Sequence, residues 1–149
     1  MKEQRAIKST GADVVKGDAP VSEWTKDELT KISNAEEMQI APFRHDGTMR
    51  SPVTIWAVRH GDGIYVRSAS KGRQAAWFRG AQDTHEGRIR AGRLEKDVTL
   101  VDADRSVDGE VDSAYRAKYG LYAGRILDSV LTPESRSTTM KLVPRSTLG

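Results

Sequence analysis

Hydrophobic positions along this chain recur first at helical spacing and then at a spacing of two. Trp24, Leu29 and Ile32 open the pattern. Thr25-Lys26-Asp27-Glu28 reads as a capping box, with Thr25 at N-cap and Glu28 at N3. Trp24 and Leu29 then fall at N′ and N4, the positions of a hydrophobic staple. Asp27 and Glu28 suit the positive end of the helix dipole. A short helix over 25–34 is predicted. From Met38 the period changes to two. Met38, Ile40 and Pro42-Phe43 read as a strand that ends at the turn His45-Asp46-Gly47-Thr48.

Val53 to His60 is the strongest strand signal, β-branched and aromatic, bounded by Pro52 and by Gly61-Asp62-Gly63. That turn joins it to Ile64–Ser68 as a hairpin. Ile55 and Ala57 lie on one face and Trp56 and Val58 on the other. A strand apolar on both faces belongs to a closed barrel or is covered by helices. A helix over 74–82 follows, then strands at 87–91 and 94–101 about a turn at Gly92. A helix runs from about Asp108 to Gly120, its expected C′ residue. A further short helix carries Ile126, Leu127, Val130 and Leu131 up to Thr132-Pro133, and the last strand is 138–143. The total is about six strands and three or four helices, most strands being joined as antiparallel hairpins. This describes an α+β domain built on a small antiparallel barrel.

A length of 149 residues fits one domain. Residues 1–20 are polar and aperiodic and read as a mobile tail, leaving 21–149 as the folded domain. The chain has no cysteine, which removes thiol catalysis, disulfides and thiolate metal sites. No stretch approaches the roughly 18 apolar residues of a membrane span. The first 20 residues lack a signal-peptide core, so a cytoplasmic protein is expected. The formal net charge of +3 conceals an asymmetry. Residues 44–93 hold nine Arg and one Lys against four acids, 10 − 4 = +6. Such a surplus suggests an anionic partner, and guanidinium forks suit phosphates and carboxylates.

Candidate chemistry concentrates in residues 65–79. A strand ends at Arg67-Ser68, a Ser/Gly/Lys loop follows, and a helix starts near Gly72. Helix-start N–H groups favour an anion. Ser68, Ser70, Lys71 and Arg73 add donors, Arg67 and Arg79 could close the cradle, and Trp77 offers a flat surface to an aromatic ring. Tyr115, Tyr119 and Tyr122 share one helix face. Tyr115 and Tyr119 are candidates for a substrate pocket, the other reading being packing on the barrel. His45, His60 and His85 each have an acid nearby but lie in or beside turns, so no metal site is expected. No Gly-x-Ser-x-Gly nucleophile elbow is present.

Several of these segments, in order, carry a resemblance: Ile55-Trp-Ala-Val-Arg59, Gly61–Ser68, Trp77-Phe-Arg79, Gly87-Arg-Ile89, Asp97-Val-Thr99, Ala114–Gly120 and Thr138–Arg145. Over residues 24–145 the chain resembles a bacterial family, a domain of unknown function, grouped with FMN-binding split β-barrels. That superfamily includes pyridoxamine-phosphate oxidases and deazaflavin-dependent reductases. The resemblance implies a six-stranded antiparallel split β-barrel with flanking short helices. It also implies a homodimer with FMN or a deazaflavin in a groove at the subunit interface. Its cofactor phosphate would be held by residues comparable to Arg67, Ser68, Lys71, Arg73 and Trp77. The expected function is a flavin- or deazaflavin-dependent oxidoreductase moving a hydride to or from a small organic substrate. The alternative is a non-redox small-molecule binder or biosynthetic helper that kept the barrel without a flavin. Neither a membrane nor nucleic acid is an expected partner.

Overall fold

The computed structural model describes residues 23–120 and 125–145. The expected tail over 1–20 lies outside these residues.

Helix α1 (Lys26–Asn34) starts as its capping box requires. The Thr25 hydroxyl accepts from Glu28 N at 3.1 Å and the Glu28 carboxylate accepts from Thr25 N at 2.9 Å. Leu29 and Ile32 are its buried positions, each worth roughly 1.5–3 kcal/mol if fully removed from water. Trp24 Nε1 donates to the Leu142 carbonyl at 2.9 Å and ties the entry of α1 to the last strand.

The strands are β1 (Met38–Pro42), β2 (Val53–Ile55), β3 (Ala57–His60), β4 (Gly63–Val66), β5 (Glu86–Ala91), β6 (Leu94–Asp102) and β7 (Met140–Pro144). They form one antiparallel sheet in the order β2-β1-β5-β6-β7-β4-β3. The two ends of that order, β2 and β3, are consecutive in sequence and separated only by Trp56. The Val53–His60 segment pairs with β1 through Met38↔Ile55 and with β4 through Ala57↔Val66. One continuous stretch therefore closes the sheet on itself. The strand count is seven rather than the expected six because this stretch divides at Trp56. The β3–β4 and β5–β6 hairpins turn at Gly61 and Gly92, both at positive φ, a conformation that costs glycine nothing.

The barrel core contains Ile40, Ile64, Val66, Ile89, Val98, Leu100, Met140 and Leu142. It is plugged by α1 and by Trp77, Phe78 and Ala81 of α2 (Ala76–Thr84), which follows a 3₁₀ turn over Gly72–Gln74. Helix α3 (Asp108–Tyr119) packs outside, where Val111, Tyr115 and Tyr119 meet Val58 and Tyr65. The second apolar face of Val53–His60 is thus covered within the chain. Gly120 has φ −60°, right-handed rather than the left-handed C′ conformation expected. Helix α4 (Arg125–Asp128) is followed by α5 (Pro133–Arg136). Thr132-Pro133, read from sequence as a stop, also starts a helix: Thr132 caps Ser135 N and Pro133 takes the first turn, where a missing N–H costs nothing. Among the described residues no helix is long and apolar enough to cross a membrane.

Candidate functional site

A cleft of about 360 Å³ opens where three segments meet. The Trp56 junction between β2 and β3 forms one wall. The loop after β4, Arg67 to Lys71, forms the second. Ala75 and Trp77 at the start of α2, with Ser129 and Val130, close it. Ser68, Ser70, Lys71 and Trp77 come together here as the sequence suggests.

Ser68 is 1% exposed, and among the described residues its hydroxyl has no hydrogen-bond partner. Its backbone is fully engaged: Ser68 N donates to Thr138 Oγ1 at 2.8 Å, and its carbonyl accepts from Ser135 Oγ at 2.6 Å. A buried hydroxyl without a partner costs about 1–3 kcal/mol, so this one is open to a hydrogen bond from a ligand atom or a water. Beside it, α2 begins at Ala75, which supplies no side-chain cap to the first-turn N–H groups. A helix start with open N–H donors is electropositive.

Arg67 reaches the same wall but is spoken for. It is 2% exposed. Nε donates to Thr139 Oγ1 at 2.9 Å, Nη1 to Asp112 Oδ1 at 2.6 Å and to the Val130 carbonyl at 2.8 Å, and Nη2 to the Asp108 carbonyl at 3.2 Å. Arg136 closes on the other oxygen of Asp112. Burial alone would raise the Asp112 carboxyl, but the hydrogen bonds from Arg136 and Arg67 prevail and hold it below the ordinary carboxylate range. Arg67 therefore knits the cleft wall together rather than offering free donors.

Gly72, Arg73 and Arg79 do not line the cleft. A Cβ on Gly72 would collide with the Glu134 carboxylate, which accepts from Arg73 N at 3.3 Å. The protein sets its own anion at that backbone. Arg73 and Arg79 lie on the other side of α2. Lys71 is left as the cation of the cleft.

Tyr115 and Tyr119 also stand outside the cleft lining, 0% and 1% exposed, and burial pushes both phenols above their ordinary value. They act from behind, on Trp56. Tyr115 Oη donates to the Trp56 carbonyl at 3.1 Å, and the Tyr119 ring stacks on the Trp56 indole at 3.9 Å with a 2° interplanar angle. Lys118 Nζ donates to the Ala57 carbonyl at 2.7 Å and the Ile32 carbonyl at 3.2 Å. Burial lowers Lys118 to about 8. Three residues of α3 thus grip the junction that forms a cleft wall.

From sequence Trp56 reads only as part of one apolar face of the Val53–His60 strand, and its place on the cleft wall follows from the break between β2 and β3. Sequence reasoning missed Asp112. An acid four residues after Asp108 and three before Tyr115 on a buried helix face needs a cationic partner, and that was readable. The contributions of Ser129, Val130 and Thr139 depend on tertiary contacts and left no local trace.

The three histidines stay apart from the cleft: His45 Nε2 lies 3.0 Å from Asp83, His60 ends β3, and His85 Nδ1 meets the Leu100 carbonyl at 2.8 Å. Among the described residues no group of three or more His, Asp or Glu is placed to hold a metal ion.

A family model for an uncharacterized protein conserved in bacteria, DUF2255, matches residues 28–142. The chain belongs to that family. The DUF2255 match runs from the first turn of α1 into β7 and so includes every segment of the cleft. No curated protein matches this DUF2255 chain. Among solved structures it is similar to HutZ, the heme storage protein from Vibrio cholerae, with a TM-score of 0.54 at 15% identity, covering 83% of this chain and 91% of that one. It is also similar to an F420 reductase, with a TM-score of 0.48 at 14% identity, covering 83% and 96% respectively. At 15% identity the likeness to HutZ is one of fold alone.

Proposed function

We propose that this protein is a flavin- or deazaflavin-dependent oxidoreductase whose cofactor lies in the cleft between Trp56, the Ser68–Lys71 loop and the start of α2. The observation that carries the reading is the partnerless Ser68 hydroxyl beside an uncapped helix start and Lys71. These are the donors a terminal phosphate needs: a hydroxyl, backbone N–H groups and one cation. The residues therefore fit the phosphate end of such a cofactor. Trp56 and Trp77 supply apolar walls, and the volume lies within the roughly 300–1,000 Å³ of small-molecule sites.

The bound ring would supply the redox chemistry, giving or taking a hydride from a small organic substrate. The chain itself binds and orients. Ser68 and Lys71 anchor the anionic end, the Arg67–Asp112–Arg136 network fixes their wall, and α3 holds the Trp56 wall through Tyr115, Lys118 and Tyr119. Lys71 is the one charged side chain of the lining besides the engaged Arg67.

The homodimer implied by the resemblance is part of this proposal, with 21–149 as its domain; light scattering at tens of micromolar, on the order of usual working concentrations, is expected to return twice the chain mass. The deciding experiment is titration of the full chain with FMN and with an F420-type deazaflavin, followed by absorbance and fluorescence. Saturable binding of either supports the reading. A colourless protein that ignores both favours a non-redox small-molecule binder.

A further inference from the structure

The arginine surplus of residues 44–93 is only partly absorbed. Arg67 pairs with Asp112, Arg88 with Asp97 at 2.6 Å and Arg90 with Glu95 at 2.9 Å. Two of the segment's own acids are occupied as well: Glu86 lies 3.3 Å from Arg145, and Asp83 lies 3.0 Å from His45. Three of the remaining arginines, Arg50, Arg73 and Arg79, gather around one open hollow of about 550 Å³ against α2. Among the described residues Asp83 is the single acid in its lining. The hollow shares no lining residue with the cleft.

Local chemistry holds the arginines there. Gly80 makes room for Arg50: a Cβ at that position would stand 2.7 Å from Arg50 Cδ and Nε. The Arg50 guanidinium is 3.9 Å from Asp83, a weak pairing, and its Nε is buried without a hydrogen-bond partner. Arg73 lies over the Phe78 ring at 5.3 Å and donates to the Ser137 carbonyl at 3.1 Å, which immobilises it while its other N–H groups stay available. Arg79 is exposed, and among the described residues no acid pairs with it.

We propose that this hollow is a second binding site, for a small, multiply charged oxyanion such as a phosphate ester or a polycarboxylate. Guanidinium forks pair bidentately with the oxygens of both groups. Three of them against one carboxylate leave a net attraction that a water-filled hollow does not satisfy. Asp83 in the wall disfavours an extended polyanion, since a chain of phosphates crossing the hollow would have to pass it. Arg59 lines a different hollow, and Arg88 and Arg90 are each paired with an acid. The site is independent of whatever the cleft holds.

The test is calorimetric titration of the full chain at low ionic strength with pyrophosphate, with citrate and with a single-stranded oligonucleotide. Saturable binding of pyrophosphate or citrate is expected. Arg79→Gln should weaken it about three- to fivefold, the range of an exposed charge pair. The double variant Arg73→Gln/Arg79→Gln should abolish it, and Arg59→Gln, in a different hollow, should leave it unchanged. Among the described residues no side chain pairs with Arg79, so its variant is expected to melt like the wild type, which separates lost binding from lost fold. Failure of both anions to saturate overturns the site, as does undiminished binding by the Arg73 and Arg79 variants or equal loss in Arg59→Gln. Tighter binding of the oligonucleotide with the same arginine dependence overturns the small-ligand class.

Discussion

Arg67 at the end of β4 and Asp112 in α3 meet in a buried ion pair, Nη1 to Oδ1 at 2.6 Å, with the Arg67 side chain wholly covered. The pair does more than join two elements. The same guanidinium holds the Val130 carbonyl and Thr139, so one side chain fastens the end of β4, α3, the turn before α5 and the start of β7 around the back of the cleft. Removing one partner of such a pair strands the other charge in an apolar setting, a larger loss than the pair's own net worth.

Asp112→Asn is therefore expected to destabilise the fold by about 3–5 kcal/mol, since it leaves Arg67 with only the Asp108 carboxylate, 4.0 Å away. Urea denaturation measures it. A loss under about 1 kcal/mol, the range of an exposed pair, would mean the network is not buried in solution.

The same carboxylate sets an acid limb. Its native pKa is lowered, so its stabilisation is complete above the ordinary value, about 4. It is lost as pH falls through the lowered native value. Stability plotted from pH 7 downward should drop less steeply in Asp112→Asn than in wild type.

Lys118 works in the opposite range. Its native pKa is lowered to about 8 by burial, from an unfolded value of 10.5. Between those values the unfolded chain binds the extra proton, so this group makes stability rise with pH from about 8 to about 10.5. Lys118→Met should remove that slope. Urea midpoints at pH 7.5 and 10, subtracted between the two proteins, isolate it; an identical slope in both would refute the burial of the ammonium.

Ser68→Ala separates ligand from fold. Removing a buried hydroxyl that has no partner should leave stability unchanged or raise it by up to about 1 kcal/mol. Loss of its hydrogen bond to a ligand phosphate should weaken FMN or deazaflavin binding about tenfold. A thermal melt and a titration on the one variant give both readings.

Two tryptophans should part company. Trp77 is 9% exposed, packed edge-on to Phe78 in the barrel core at 6.1 Å between centroids. Trp77→Ala should cost about 3–5 kcal/mol. Trp56, half-buried and stacked on Tyr119, should lose less stability as Trp56→Leu and more ligand affinity. The reverse ranking would return Trp56 to the packing residues.

What the sequence determined by itself was local. The capping box and staple of α1, the Gly61 and Gly92 hairpins and the alternation in the barrel strands each depend on groups within a few residues of one another, so their chemistry is written contiguously. The two-faced apolarity of Val53–His60 even announced closure or helical cover, and both occur. Tertiary structure decided the rest. Trp56 marks the point where one stretch leaves β1 for β4, which depends on where those strands lie. An arginine at a strand end reads alike whether it faces a ligand or an acid 45 positions away, and Arg67 faces the acid. Arg73 and Arg79 were parted from Ser68 and Lys71 by the path of the chain around α2, with Glu134 set against Gly72. Such pairings join residues 40 to 70 positions apart, roughly, and the loop-closure entropy they overcome is met by packing of the whole barrel, a term no local pattern contains.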